Sequence, residues 1–325
     1  MTATSSLRPA ADGGHPLRST LSGARKWRNR LATTWMAGAL LVAAIPLLVV
    51  MGVLLTKGFG IVASLDWWTK SIPTNVASSA LSSAEAQAAF GNVTEVAQVD
   101  VVYGMAPAIV GTLITTAIAA VFAIPLGILA AVYLHEYGGK SRSASIIRFF
   151  SDVMTGVPSV VMGIFIYTVW VLTFEERGRS AFAGGLALAC LMLPVVVRST
   201  EEMLRLVPDS LRQASAALGA PRWKTIVGVV LPAAMPGITS GSMLAIARAA
   251  GETAPILFTV GVVTSTNLSL WGQNTTLSAQ IFSNATQPGG ESIAWGAALT
   301  LIIIVMVFTL LARFVSARFS VRADG

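Results

Sequence analysis

Residues 107–134 read PAIVGTLITTAIAAVFAIPLGILAAVYL, twenty-eight positions without a charge. A helix rises 1.5 Å per residue, so this run exceeds the ~20 residues that cross a hydrocarbon core of ~30 Å. It has length to tilt or protrude. The rest of the chain agrees with that reading. Over 325 residues, 54% are hydrophobic and 11% charged, against roughly 25% charged in an ordinary soluble domain. Mean hydropathy is +0.72. These values argue against a soluble globular enzyme. A single Cys (Cys190) and two His (His15, His135) exclude a disulfide scaffold and a His/Cys zinc cluster.

Five more stretches qualify as spans: Trp35–Leu55, Val153–Phe174, the short Ala181–Val197, Pro236–Val263 and Ile293–Ala312. The expected fold is an all-α membrane protein with six transmembrane helices. Placing the 22 basic residues orients it. Seventeen fall in the N-terminal tail, the loops after the second and fourth spans, and the C-terminal tail; Lys57, Lys70, Arg177 and Arg179 fall opposite. Lys and Arg concentrate on the cytoplasmic side, which puts both termini inside. Acidic residues divide evenly, seven to seven, leaving the outer side net negative. The pI near 10.1 therefore records topology rather than nucleic-acid binding. The first apolar run and its long basic leader both exceed a signal peptide, so it reads as a retained anchor.

Four regions follow. Residues 1–34 read as a basic, disordered cytoplasmic tail, and 35–106 as the first span with a long external segment. Residues 107–315 are expected to form the main membrane core, and 316–325 a cytoplasmic tail. Trp67, Trp68, Trp170 and Trp295 suit the membrane interface. Gly111, Gly127 and Gly163 suit close helix contacts. Residues 264–291 read as a polar outer loop without Lys or Arg. Gly139-Lys140-Ser141 ends like a phosphate-binding loop, but the required Gly five positions before Gly139 is Leu134. His135-Glu136 lacks the second His of a zinc protease. Neither nucleotide nor metal chemistry is indicated, so any energy source belongs to a partner.

The loop between the fourth and fifth spans, residues 199–235, carries a pattern of its own. Pro208-Asp209-Ser210 starts a helix, Leu211, Ala214 and Leu218 recur at helical spacing, and Gly219 stops it. Pro221 opens a second short helix. Such a pair fits either a groove on another protein or a connector along the bilayer surface. Gln213-Ala214-Ser215 with Leu218-Gly219, then nine residues, then Val229-Val230-Leu231-Pro232, resembles the EAA loop of ABC-importer permeases, E-A-A-x3-G-x9-I-x-L-P. Gln213 stands for the usual Glu, Ser215 for the second Ala and Val229 for Ile. In that family the short helix couples the permease to its ATPase, which implies the role for Gln213, Ala214, Ser215, Leu218, Gly219 and Pro232.

Ala247-Arg248-Ala249-Ala250-Gly251-Glu252-Thr253-Ala254-Pro255 resembles the fifth-span motif of phosphate importer permeases. Gly156-Val157-Pro158-Ser159 and Pro194-Val195-Val196-Val197-Arg198-Ser199-Thr200-Glu201-Glu202 fit the same family, in its A-type (PstA) branch. The resemblance spans roughly residues 105–315. It implies a type I ABC importer permease fold in a bacterial inner membrane, with four kinds of companion. These are a PstC-type permease, two PstB-type ATPases that bind ATP and Mg, a PstS-type phosphate-binding protein, and membrane lipid. No cofactor belongs to this chain. Arg198 takes a transport role by resemblance, although positive-inside bias alone also places an Arg there.

Arg248 stands on its own chemistry. It lies twelve residues from Pro236, about 18 Å along a helix and near mid-membrane, with Glu252 one turn further. Each such charge costs about 2.5–3.5 kcal/mol in lipid, so both are expected to face protein or a wet pathway. Two roles stay open: a self-neutralising pair that fixes packing, or a phosphate site in which Arg248 meets the anion and Glu252 holds the guanidinium between transits. Thr253 joins them as a pathway residue. An ABC permease for sulfate, molybdate or a phosphonate would keep the loop but depart from this segment. An ion-gradient carrier would show an inverted repeat, and none is evident.

Overall fold

The computed structural model describes residues 23–72, 104–139, 141–174, 178–287 and 289–319. The expected tails at 1–22 and 320–325 and most of the first external segment lie outside these residues. The chain divides into two compact units, residues 1–52 and 53–325. In the first, residues 23–52 are helical, and the side chains of residues 25–52 are nearly all exposed, as a span in lipid presents them. This helix, α1 (Gly23–Val62), starts twelve residues before the expected span. Residues 23–34 are therefore helical rather than a disordered tail. Lys and Arg are good helix formers and let the basic leader continue the span.

The second unit is all-helical among the described residues. Its elements are α2 (Leu65–Thr69), α3 (Ala106–Val132, continued by a wider π turn over Tyr133–Gly138), α4 (Arg142–Gly156) and α5 (Ser159–Ile166, continued to Val171). Then come α6 (Ala181–Leu206), α7 (Asp209–Ala217), α8 (Arg222–Thr225), α9 (Leu231–Ala250) and α10 (Ala254–Thr259). The last are α11 (Leu277–Ala285) and α12 (Glu291–Phe319). Five of the described helices are long and apolar enough to cross a membrane, and there are six such spans if the bent pair α4–α5 counts as one.

Small residues set how the helices meet. A side chain at Gly185 would sit 2.6 Å from Ile118 Cβ, and one at Gly127 2.7 Å from Val196. Both contacts advance together, so α3 and α6 run parallel. Gly237 abuts Met203 and Gly241 abuts Ser199, so α6 and α9 run antiparallel along a Gly237, Gly241, Ala245, Ala249 stripe. Because α3 and α6 are parallel, the chain between them must return to its starting side. It does so through a 107° bend at Val157-Pro158. The expected third span is thus not straight: Pro158 has no N–H to continue the ladder and pushes Val157 out of helix, to ψ 129°. Gly163 lets α5 reach Pro255, 2.6 Å from where its Cβ would lie.

Three further expectations change. The fifth span ends at Ala250, not Val263, because Gly251 and Pro255 break it. The helix opened by Pro221 is not separate. It runs through a π segment, Ile226–Val230, into α9. That widening accommodates Pro232, which lacks an N–H and crowds the carbonyl four residues back. Trp67 is buried rather than interfacial, donating its indole N–H to Thr300 Oγ1 at 2.8 Å. The polar loop folds inward: Asn274–Gln280 are buried, and the Leu277 N–H reaches Thr112 Oγ1 at 2.9 Å.

Candidate functional site

Arg248 occupies the last turn of α9, and Glu252 follows the cap at Gly251. The break keeps them together, with Nε to Oε1 at 3.6 Å. Their exposures differ: the Arg248 side chain is 69% exposed and Glu252 18%. Arg248 therefore does not face the interior of its own chain, as one of the sequence expectations had it. It points out of the bundle, on a strip with Ser240 and Leu244. Beside it, Leu191, Met192 and Val195 of α6 and Ala245 and Ala249 of α9 enclose a cavity of ≈ 10 Å³. That holds about one water and no oxyanion. Thr253 flanks it at the N-cap of α10, where its hydroxyl caps nothing and its carbonyl accepts the Leu257 N–H at 3.2 Å.

Arg198 lies elsewhere. It is about 4.5 Å along α6 from Val195, towards the Leu206 end. It pairs with Asp152 of α4 and lies 4.0 Å from Glu201. Glu201 is 2% exposed and also takes Arg148 Nε at 3.2 Å and Arg205 Nη2 at 2.9 Å. Three guanidinium groups around one buried carboxylate lock α4 to α6. Among the described residues no cavity or ion pair joins Arg198 to Arg248, Glu252 or Thr253.

At the same end, α7 begins at Asp209 as its sequence requires and stops where Gly219 takes φ +79°, a left-handed turn that suits glycine. None of its residues is buried. Gln213, Ala214, Gly219 and Pro232 are exposed, and Leu218 is 89% exposed, near an exposed Leu211 and Trp223. Ser215 Oγ meets Thr225 Oγ1 at 2.8 Å, closing the loop on itself. An unsupported nine-residue helix is marginal in water, so something must hold it. The tether is Arg212. It donates to Glu136 Oε1 at 3.0 Å, to the Leu204 and Val207 carbonyls at 2.9 and 2.8 Å, and to Asp209 at 3.0 Å. Glu136 is 7% exposed and its backbone carbonyl accepts from Arg222.

A family model described as a binding-protein-dependent transport system inner membrane component matches residues 123–321. The chain belongs to this permease family. A Mycobacterium tuberculosis (strain CDC 1551 / Oshkosh) protein named phosphate transport system permease protein PstA 1 is 44% identical to it, over 90% of this chain and 91% of that one. The Mycobacterium leprae (strain TN) phosphate transport system permease protein PstA is 42% identical over 92% of each. Among solved structures, a bacterial ABC transporter involved in the import of the acidic polysaccharide alginate aligns with a TM-score of 0.53. It is 14% identical and covers 91% of this chain and all of that one, a likeness of fold alone.

The permease holds functional contacts that its sequence did not display. Glu136 read only as half of a failed zinc motif, and Glu201 as part of a family signature. Neither has a charged partner at helical spacing that fixes α7 or α4, since Arg212 is 76 residues from Glu136 and Arg148 is 53 from Glu201. Two Glu residues amid apolar runs, in a chain with only 15 acidic residues, were the available signal. Gly139 and Ser141, which resemble a phosphate loop, turn and cap a helix: Ser141 Oγ accepts the Ala144 N–H at 3.2 Å.

Proposed function

We propose that this permease is the A-type transmembrane subunit of an ATP-driven inorganic phosphate importer. Both termini lie in the cytoplasm of a bacterial cell. A PstC-type permease supplies the other half of the pathway, two PstB-type ATPases bind ATP and Mg, and a PstS-type protein delivers phosphate. The observation that carries the reading is Arg248: a guanidinium in the last turn of α9, held by Glu252 at 3.6 Å and directed out of the bundle beside a space too small for phosphate. A forked donor there binds an oxyanion once a second subunit closes the other side. The 44% identity to a protein named for phosphate transport selects the oxyanion.

Closure of the ATPase dimer pushes on α7 and its exposed Leu218. Arg212 and Glu136 pass the push to the end of α3, and the Glu201 cluster holds α4 and α6 as one body. α9, packed on α6 through its small-residue stripe, then carries Arg248 and turns the path outward. The chain itself performs no hydrolysis. Radiolabelled phosphate and sulfate uptake in cells lacking the subunit tests the reading. Restoring the chain rescues phosphate uptake alone, and Arg248→Gln assembles without rescuing it. Normal uptake by that variant removes Arg248 from the path, and rescue of sulfate uptake instead replaces phosphate as the cargo.

A further inference from the structure

At the end of α5 and the start of α6, a cavity of ≈ 770 Å³ is lined by Trp170, Phe174, Arg179, Ser269, Trp271 and Gln273. Its walls are already built. Trp271 stacks on Trp170 with centroids 6.2 Å apart, and each ring packs on a Phe at 4.6 Å. Backbone bonds pin the loop carrying Trp271 to α6: the Ala181 N–H donates to Gly272 O at 3.1 Å and the Phe182 N–H to Leu270 O at 2.9 Å. A volume of this size is within the range of small-molecule sites.

Two features restrict the occupant. The first is charge. Arg179 is exposed and its guanidinium lies 5.9 Å from the Tyr167 ring, with no carboxylate among the described residues paired to it. The second is a track leading away. Phe182 meets Phe122 of α3 edge-on at 5.9 Å, and Phe122, Leu126 and Leu129 then lie exposed down that helix. A free anion has no use for an apolar track along a membrane-crossing helix. A water-soluble partner cannot follow one into the bilayer.

We infer that this cavity binds an anionic glycerophospholipid of the outer leaflet. Its phosphodiester sits on Arg179, and one acyl chain runs over Trp271 and Phe182 to Phe122. Arginine suits the phosphate as a planar donor, and the aromatic rings suit the boundary between headgroup and chain. The leaflet rests on the orientation proposed above; the chemistry does not.

The test is fluorescence quenching in the assembled transporter, reconstituted into phosphatidylcholine vesicles containing rising fractions of brominated phosphatidylglycerol. A Trp271→Phe variant isolates the cavity's share of the signal from the eight tryptophans. That share is expected to quench saturably at a low mole fraction. Arg179→Gln raises the half-saturating fraction about fivefold, the loss expected for one basic contact to an anionic headgroup, while Arg179→Lys raises it less. Excess inorganic phosphate leaves the curve unchanged. Three results overturn the inference: quenching that tracks bulk lipid equally in the parent and Arg179→Gln, displacement by inorganic phosphate, or loss of cavity quenching when the partner subunits cover it. Phosphate uptake in the same vesicles reports separately. Uptake without saturable quenching removes the lipid site alone, and saturable quenching without uptake removes the proposed phosphate-pathway role alone.

Discussion

Replacing Arg212 by Ala tests whether one side chain holds the coupling helix to the spans. The substitution strips the Glu136 carboxylate, 7% exposed, of its ion-pair partner, leaving His135 Nε2 at 3.9 Å and Arg222 on the Glu136 backbone carbonyl. It also frees the Leu204 and Val207 carbonyls. Breaking a buried pair from one side costs about 3–5 kcal/mol. Taking about 3 kcal/mol, because Arg212 itself is partly exposed, the ratio of docked to undocked α7 falls roughly 150-fold. Hydrogen exchange on the assembled transporter reads this directly. Amides of residues 209–217 exchange faster by up to that factor, whereas those of α6 do not change. On the proposed coupling of α7 to an ATPase, uptake per ATP hydrolysed falls as well. Glu136→Ala completes a double-mutant cycle, with an expected coupling of about 2 kcal/mol. Exchange within threefold of the parent, or additive effects in the cycle, refutes the tether.

Other consequences are simpler to measure. Gly241→Leu drives a side chain into Ser199, whose Cβ lies 2.6 Å from the added Cβ. It destabilises the α6–α9 contact by about 1–3 kcal/mol, seen as a lower midpoint of thermal unfolding in detergent. Gly219→Ala forces a β-carbon into φ +79° and weakens the helix stop by about 1 kcal/mol, which limited proteolysis after α7 detects. Trp67→Phe removes the indole bond to Thr300 and costs about 1–2 kcal/mol, with unchanged phosphate uptake at permissive temperature.

What the sequence showed and what it hid follow from how far each signal reaches along the chain. The α3 run, the stop of α7, and the close approaches at Gly127 and Gly163 are local, and the structure has them where expected; the expected cap by Asp209 or Ser210 is absent, since Pro208 takes the cap position and no side chain bonds the first turn. The bend at Val157-Pro158 was written in the residues. It was masked because residues 153–174 still average as one apolar stretch. The inward fold of 274–280 was hidden for the opposite reason: its Asn, Thr, Ser and Gln side chains read as solvent-facing, yet Thr112 and neighbouring groups satisfy much of the segment. Arg248 and Glu252 were legible because charge is scarce there. Arg198 was legible only as a position, since its partners come from α4 and from a buried Glu201.

The outward-facing Arg248 has a consequence for the life of the subunit before transport begins. A lone copy presents a guanidinium, 69% exposed, on a span, where a charge facing lipid costs up to about 2.5–3.5 kcal/mol. Covering it with the second permease removes that penalty and favours the paired state by up to roughly a hundredfold. The same side chain proposed to hold the anion thus marks an orphan. On the proposed function, a surplus subunit carries an exposed guanidinium that pairing with the second permease covers.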